Sequence, residues 1–187
     1  MNEALGWIGE LASWLGKFIP RWTILDTTQS AVKFPRGRNP KLYGPGGIIF
    51  WWPASTIVKT YPIARQATDL RSQRLLTKDG KLVLVRTLIV YEIADLLPLM
   101  TEVWEPESTV EDIALSAVYD VVRGMTYEDL LKTTGVGIRL RQEAMKWLRP
   151  YGVKVLKMGL TDLAPTRVVA LSHDLPPQTS SEFLAEE

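Results

Sequence analysis

The run from Lys81 to Ile93 is apolar on both faces of a single strand: Leu82, Leu84, Leu88 and Val90 point one way, and Val83, Val85, Ile89, Tyr91 and Ile93 the other. Side chains alternate along a strand, so such a segment predicts cover on both sides. The Lys78-Asp79-Gly80 turn separates it from a preceding strand pattern, Ala67 to Leu76, and Asp-Gly between strands is a strong hairpin signal. A helical layer for one face follows. Ser108-Thr-Val-Glu111 has the form of a capping box, and Val110, Ile113, Ala114, Ala117, Val118 and Val121 recur at helical spacing until Gly124. Thr126 caps a short helix through Leu131, a third helix runs from Val136 to Arg149, and Tyr151-Gly152 turns into a returning strand, Val153 to Leu163. Upstream, Trp22 to Val32 reads as extended, Ile48 to Trp52 as a short strand stopped by Pro53, and Ile57 to Tyr61 as another, with Pro- and Gly-rich loops between. Strands, then helices, then a returning strand predict an α+β domain with a twisted, mainly antiparallel sheet packed on helices.

Ahead of this body, residues 1–20 form an amphipathic helical segment. At about 100° per residue, Leu5, Trp7, Ile8, Leu11, Trp14, Leu15, Phe18 and Ile19 fall, with Ala4 and Ala12, on one half of the circumference, and every polar residue falls on the other. Charges at Glu3, Glu10 and Lys17 interrupt it, so it lacks the roughly 20 mostly apolar residues of a spanning helix. Its expected place is in the plane of a bilayer interface, with Trp22 at headgroup level just beyond Pro20. At about 1 kcal/mol per large side chain the gross gain is several kcal/mol. The alternative is that the same stripe docks on the protein's own core.

The net charge of +1 argues against a general nucleic-acid binder, yet Lys17, Arg21, Lys33, Arg36, Arg38 and Lys41 face only Asp26 over their stretch. Near an anionic lipid surface each cation adds about 1 kcal/mol; the alternative is a merely solvated loop. Without cysteine there is no disulfide, thiolate or S-linked lipid. The amino terminus lacks a basic n-region, so the expected location is peripheral, on the cytoplasmic face of a membrane. Residues 169–187, acidic and bearing Pro176-Pro177, read as a disordered tail.

Residues that carry chemistry are sparse. The single histidine, His173, lies in Ser172-His-Asp174, where sequence neighbours point apart and do not make a triad. Glu128 and Asp129 open a helix and suit its dipole. Gly135-Val-Gly137 lacks the third glycine of a dinucleotide site, and no metal-ligand spacing occurs. The basic third helix, with Arg139, Arg141, Lys146 and Arg149, reads as a solvated face or a protomer contact. No catalytic residue, cofactor or metal is expected.

Several short motifs occur in one order: Gly44-Pro-Gly46, Trp52-Pro53, the hairpin Thr77-Lys78-Asp79-Gly80, the strand exit Tyr91-Glu-Ile-Ala-Asp95, Arg123-Gly-Met-Thr126, Tyr151-Gly-Val153 and Thr161-Asp-Leu163. Together, over residues 23–168, they resemble the stomatin, prohibitin and flotillin family, the SPFH or band 7 domain. The resemblance implies a domain over residues 21–168 and a membrane-associated, self-associating scaffold. Its protomers would form rings or cages that organise bilayer or hold membrane partners. Trp51 and Trp52 would add a second lipid contact, alternating so that at most one faces lipid; both as core residues is the alternative. Relatives usually continue into a long coiled coil, which this sequence does not show, so a minimal member is expected. The second functional reading is a soluble adaptor, bound to a partner such as a membrane protease, with the amino-terminal helix folded on its own domain.

Overall fold

The computed structural model describes residues 19–166; residues 1–18 of the expected helix over 1–20 and the tail over 169–187 lie outside them, and Ile19 and Pro20 are not helical. Eight strands, β1 (Arg21–Ile24), β2 (Gln29–Pro35), β3 (Lys41–Tyr43), β4 (Ile48–Trp51), β5 (Thr56–Pro62), β6 (Gln66–Leu76), β7 (Leu82–Ile93) and β8 (Val153–Pro165), surround four helices, α1 (Leu96–Glu102), α2 (Pro106–Arg123), α3 (Tyr127–Leu131) and α4 (Thr133–Leu148). Every pairing is antiparallel, and the strands divide into three sheets, β1–β4, β3–β2–β5 and β6–β7–β8, where the sequence predicted one.

Strand β7 is the centre of its sheet. Val83, Val85, Thr87, Ile89, Tyr91 and Ile93 are all buried, against Val110, Ala114, Ala117, Val118 and Val122 of α2 and Val136, Leu140, Ala144 and Leu148 of α4. Helix α2 lies nearest β6 and α4 nearest β8, and their Ala114, Ala117 and Ala144 are fully buried. The opposite face, for which no helix layer was expected, has less cover. Leu82, Leu84, Leu88 and Val90 are only half-buried, and their cross-strand neighbours include Arg74, Asp69 and Lys157. Asp69 and Arg86 pair across this face at 2.9 Å. Flanking long polar side chains shield part of the apolar row there, and no described helix lies over it.

Three local expectations are corrected. The extended run from Trp22 to Val32 is broken by a turn in which the Gln29 N–H donates to the Asp26 carbonyl at 3.1 Å. The capping box at Ser108 does not form: α2 starts earlier, at Pro106, whose fixed φ suits a first helical position, and Ser108 Oγ donates back to the Glu105 carbonyl at 3.3 Å. Helix α1 was not expected. Asp95 caps it by accepting from the Leu97 N–H at 3.0 Å, and its seven residues are too few to show a period.

Two glycines fix close backbone crossings. Gly152, at φ +76°, ends the 3-10 turn Arg149–Tyr151, and its carbonyl accepts from the N–H groups of Ala94 and Asp95. A Cβ there would overlap the Asp95 carbonyl oxygen. At Gly137 a Cβ would stand 2.8 Å from the Met158 carbonyl oxygen, so this glycine lets α4 lie on β8. Gly135, two residues earlier, faces open space. Gly152→Ala is therefore expected to destabilise the fold by about 2 kcal/mol or more, whereas Gly135→Ala should stabilise it by up to about 1 kcal/mol. Urea unfolding of the two variants checks both signs.

Candidate membrane-facing surface

Strands β1 and β4 pair in the register Arg21↔Trp51, Trp22↔Phe50, Thr23↔Ile49 and Ile24↔Ile48. Because side chains alternate, this two-stranded ribbon sorts its residues cleanly. Ile49 turns inward and is buried with Leu25 and Ala31, flanked by Tyr43, Trp51 and Val58. Trp51 Nε1 donates to Thr23 Oγ1 at 3.1 Å on the same side. The outer face holds two cross-strand pairs, Trp22 with Phe50 and Ile24 with Ile48, exposed by 68%, 65%, 68% and 60%. The Trp22 and Phe50 rings meet edge to face, with centroids 6.5 Å apart. Ile19 and Trp52, also exposed, lie at the ribbon end where Arg21 pairs with Trp51. Lys33 ties the ribbon to the neighbouring sheet by donating to the Phe50 carbonyl at 2.7 Å.

A contiguous cluster of large apolar side chains on the surface marks an interaction site. Of the residues expected to meet lipid, Ile19, Trp22 and Trp52 are exposed, whereas Leu5, Trp7, Ile8, Leu11, Trp14, Leu15 and Phe18 lie outside the described residues. Trp51 is the inward member of the alternating Trp51–Trp52 pair: it is part-buried against the small core, and its indole N–H is already satisfied. Ile24, Ile48 and Phe50 were missed. Their segments are apolar at successive positions, which reads as a buried strand, and only the pairing shows which positions stay outside.

The hairpin motif serves a structural purpose. Buried Thr77 donates from Oγ1 to Asp79 Oδ1 at 2.6 Å and accepts from the Lys81 N–H at 3.1 Å. Asp79 Oδ1 also accepts the Tyr127 N–H at 3.1 Å, and the Lys78 N–H donates to the Met125 carbonyl at 2.9 Å. Gly80 closes the turn at φ +75°. The loop thus clips the sheet onto the junction between α2 and α3. Thr126 caps α3 reciprocally, accepting from the Asp129 N–H and donating to its carboxylate. Hydrogen bonds to the ionised form, first from the hydroxyls of Thr77 and Thr126, hold the Asp79 and Asp129 carboxyls below their ordinary values.

Elsewhere, an open groove of about 480 Å³ lies between β8 and the α3–α4 corner, lined by Leu130, Val136, Met158, Leu160 and Leu163 among others. Its lining is mostly apolar, with Lys157, Thr161 and Asp162 as its polar side chains. Among the described residues no helix is long and apolar enough to cross a membrane, and no group of three metal-binding side chains gathers; His173 lies outside them.

This order of sheets, helices and docked motifs has a counterpart among known families: residues 23–172 match the model of the SPFH domain / Band 7 family, and the chain belongs to that family. A protein of Archaeoglobus fulgidus, described as uncharacterized, is 22% identical over 186 residues, covering 97% of this chain and 74% of its own length. Membership carries a membrane-associated scaffold kind of role.

The clip should be visible in the pH dependence of stability. Asp79 has a depressed folded pKa, so its contribution is present above the unfolded value near 4 and is lost as pH falls through the lower folded value. Thr77→Val and Asp79→Ala are each expected to lower Tm by a few degrees at neutral pH and to flatten the acid-side fall in Tm, as read by thermal scans over a pH series.

Proposed function

We propose that the protein is a peripheral scaffold of the stomatin and prohibitin type on the cytoplasmic face of a membrane, self-associating to organise a bilayer patch or hold membrane proteins. The observation that carries this reading is the outer face of the β1–β4 ribbon. Four large apolar side chains that gain about 1 kcal/mol each on leaving water give a gross drive of about 4 kcal/mol, the scale of a marginal, reversible anchor. The amphipathic run before Pro20 supplies a second element of the same kind. Weak anchors become firm when copies are linked, because each further contact binds at high effective concentration. Self-association has surfaces to use: the half-covered face of β7 and the outer edges of β6 and β8, the two flanking strands of their sheet.

Sedimentation with and without liposomes tests both parts. Ile24→Glu with Phe50→Glu, and separately charged substitutions at Trp7, Ile8, Leu11 and Phe18, should each cut lipid binding at least about tenfold. Leu84→Lys with Leu88→Lys should shift assemblies toward monomer, with a fall of a few degrees in Tm because both leucines are part-buried in the protomer. A dispersed monomer that ignores liposomes would overturn the proposal and favour the soluble adaptor.

A further inference from the structure

The ribbon's apolar face carries a cationic border at one end only. Between Ile19 and Gln66 the sequence has seven lysines and arginines and one carboxylate, Asp26. The fold separates these charges. Asp26 sits at the Ile24–Ile48 end, where its carbonyl accepts from Gln29 and Gly46 and the Leu25 N–H reaches Gly47.

Five of the seven cations gather toward the other end, while Lys59 lies over the Trp104 ring and Arg65 pairs with Glu92. Arg21 pairs with Trp51; Trp52 follows, and its carbonyl accepts from the Ser55 N–H at 3.1 Å. The Ser55 carbonyl in turn accepts the Arg36 N–H at 2.8 Å, which fastens the β2–β3 loop carrying Arg36 and Arg38 beside the Trp52 turn. Lys33 and Lys41 are direct cross-strand partners. They share the side of their sheet on which Ala31 and Tyr43 meet the ribbon's small core, and Lys33 reaches the Phe50 carbonyl. Like charges placed opposite each other destabilise a sheet. Among the described residues, none of Arg21, Lys33, Arg36, Arg38 and Lys41 forms an ion pair with a carboxylate. The described residues leave this cluster without a carboxylate partner.

We infer that the β1–β4 ribbon and the β2–β3 loop together form a site selective for anionic phospholipid surfaces, with Trp22, Ile24, Ile48 and Phe50 entering the acyl boundary and Arg36, Arg38 and Lys41 meeting headgroup phosphates and carboxylates. Charge complementarity picks the occupant. A neutral bilayer satisfies the apolar face alone, whereas an anionic one also relieves the Lys33–Lys41 repulsion. The inference rests on the reading of the ribbon as a bilayer contact and adds to it the lipid class and the residues that choose it.

The test is flotation of the full chain with vesicles of phosphatidylcholine, with or without phosphatidylserine, at low and high salt. The wild type should favour the anionic vesicles by about tenfold to a hundredfold, from three cations near the surface, and salt should erase that preference. Arg36→Gln, Arg38→Gln and Lys41→Gln combined should lose the preference while keeping binding to phosphatidylcholine; all three are exposed or at a strand end, so the fold should hold. A control that removes cations elsewhere, Arg139→Gln with Arg149→Gln on α4 and the turn after it, should keep the preference. Equal binding to both vesicles by the wild type, or equal loss in the triple variant and the control, overturns the lipid selectivity and leaves the bilayer contact standing. Failure to bind any vesicle overturns both.

Discussion

Burial of one face of β7 against α2 and α4 is the constraint on which the rest of the molecule depends. Six consecutive inward positions from Val83 to Ile93 are sealed, and the alternation of a strand leaves no freedom in which residues those are. A one-residue slip would put Arg86 into the core and Val85 and Ile89 into water. Because that register is fixed, β6 and β8 are fixed on either side, and the Thr77–Gly80 loop arrives where it can clip the α2–α3 junction. The hairpin motif and the helix-junction motif are distant in sequence and meet as two halves of one hydrogen-bonded contact.

The same alternation has a different result at the periphery. In the β1–β4 ribbon only the inward residues find a core, a small one around Leu25, Ala31 and Ile49, and nothing described covers the outward ones. A two-stranded ribbon is marginal alone in water; here it is held by Ile49, the Trp51–Thr23 hydrogen bond and the Lys33 tether. Its stability therefore comes from one side, which frees the other to carry large apolar groups for contact. The half-covered outer face of β7 follows the same division on a larger scale.

Much of the fold was legible in the residues. The long two-faced strand, the Asp-Gly turn, the period of α2, the Thr126 cap and the Gly152 corner all act through neighbours within a few positions, so their signals survive in sequence. What failed had two local signals in competition or too few residues to show a pattern. Pro106 moved the helix start ahead of Ser108 by its fixed backbone, and α1 is too short to display a period.

The sequence by itself determined that β7 must be covered, that an α+β body follows, that an amphipathic run precedes it and that positive charge concentrates in the first third, because these depend on residue type and spacing. Only the tertiary structure decided that Trp51 turns inward while Phe50 and Ile48 turn out, and that Arg36 is tied beside Trp52. Which face of a short apolar strand meets water depends on the partner across it and the core beneath it, and no local pattern encodes either.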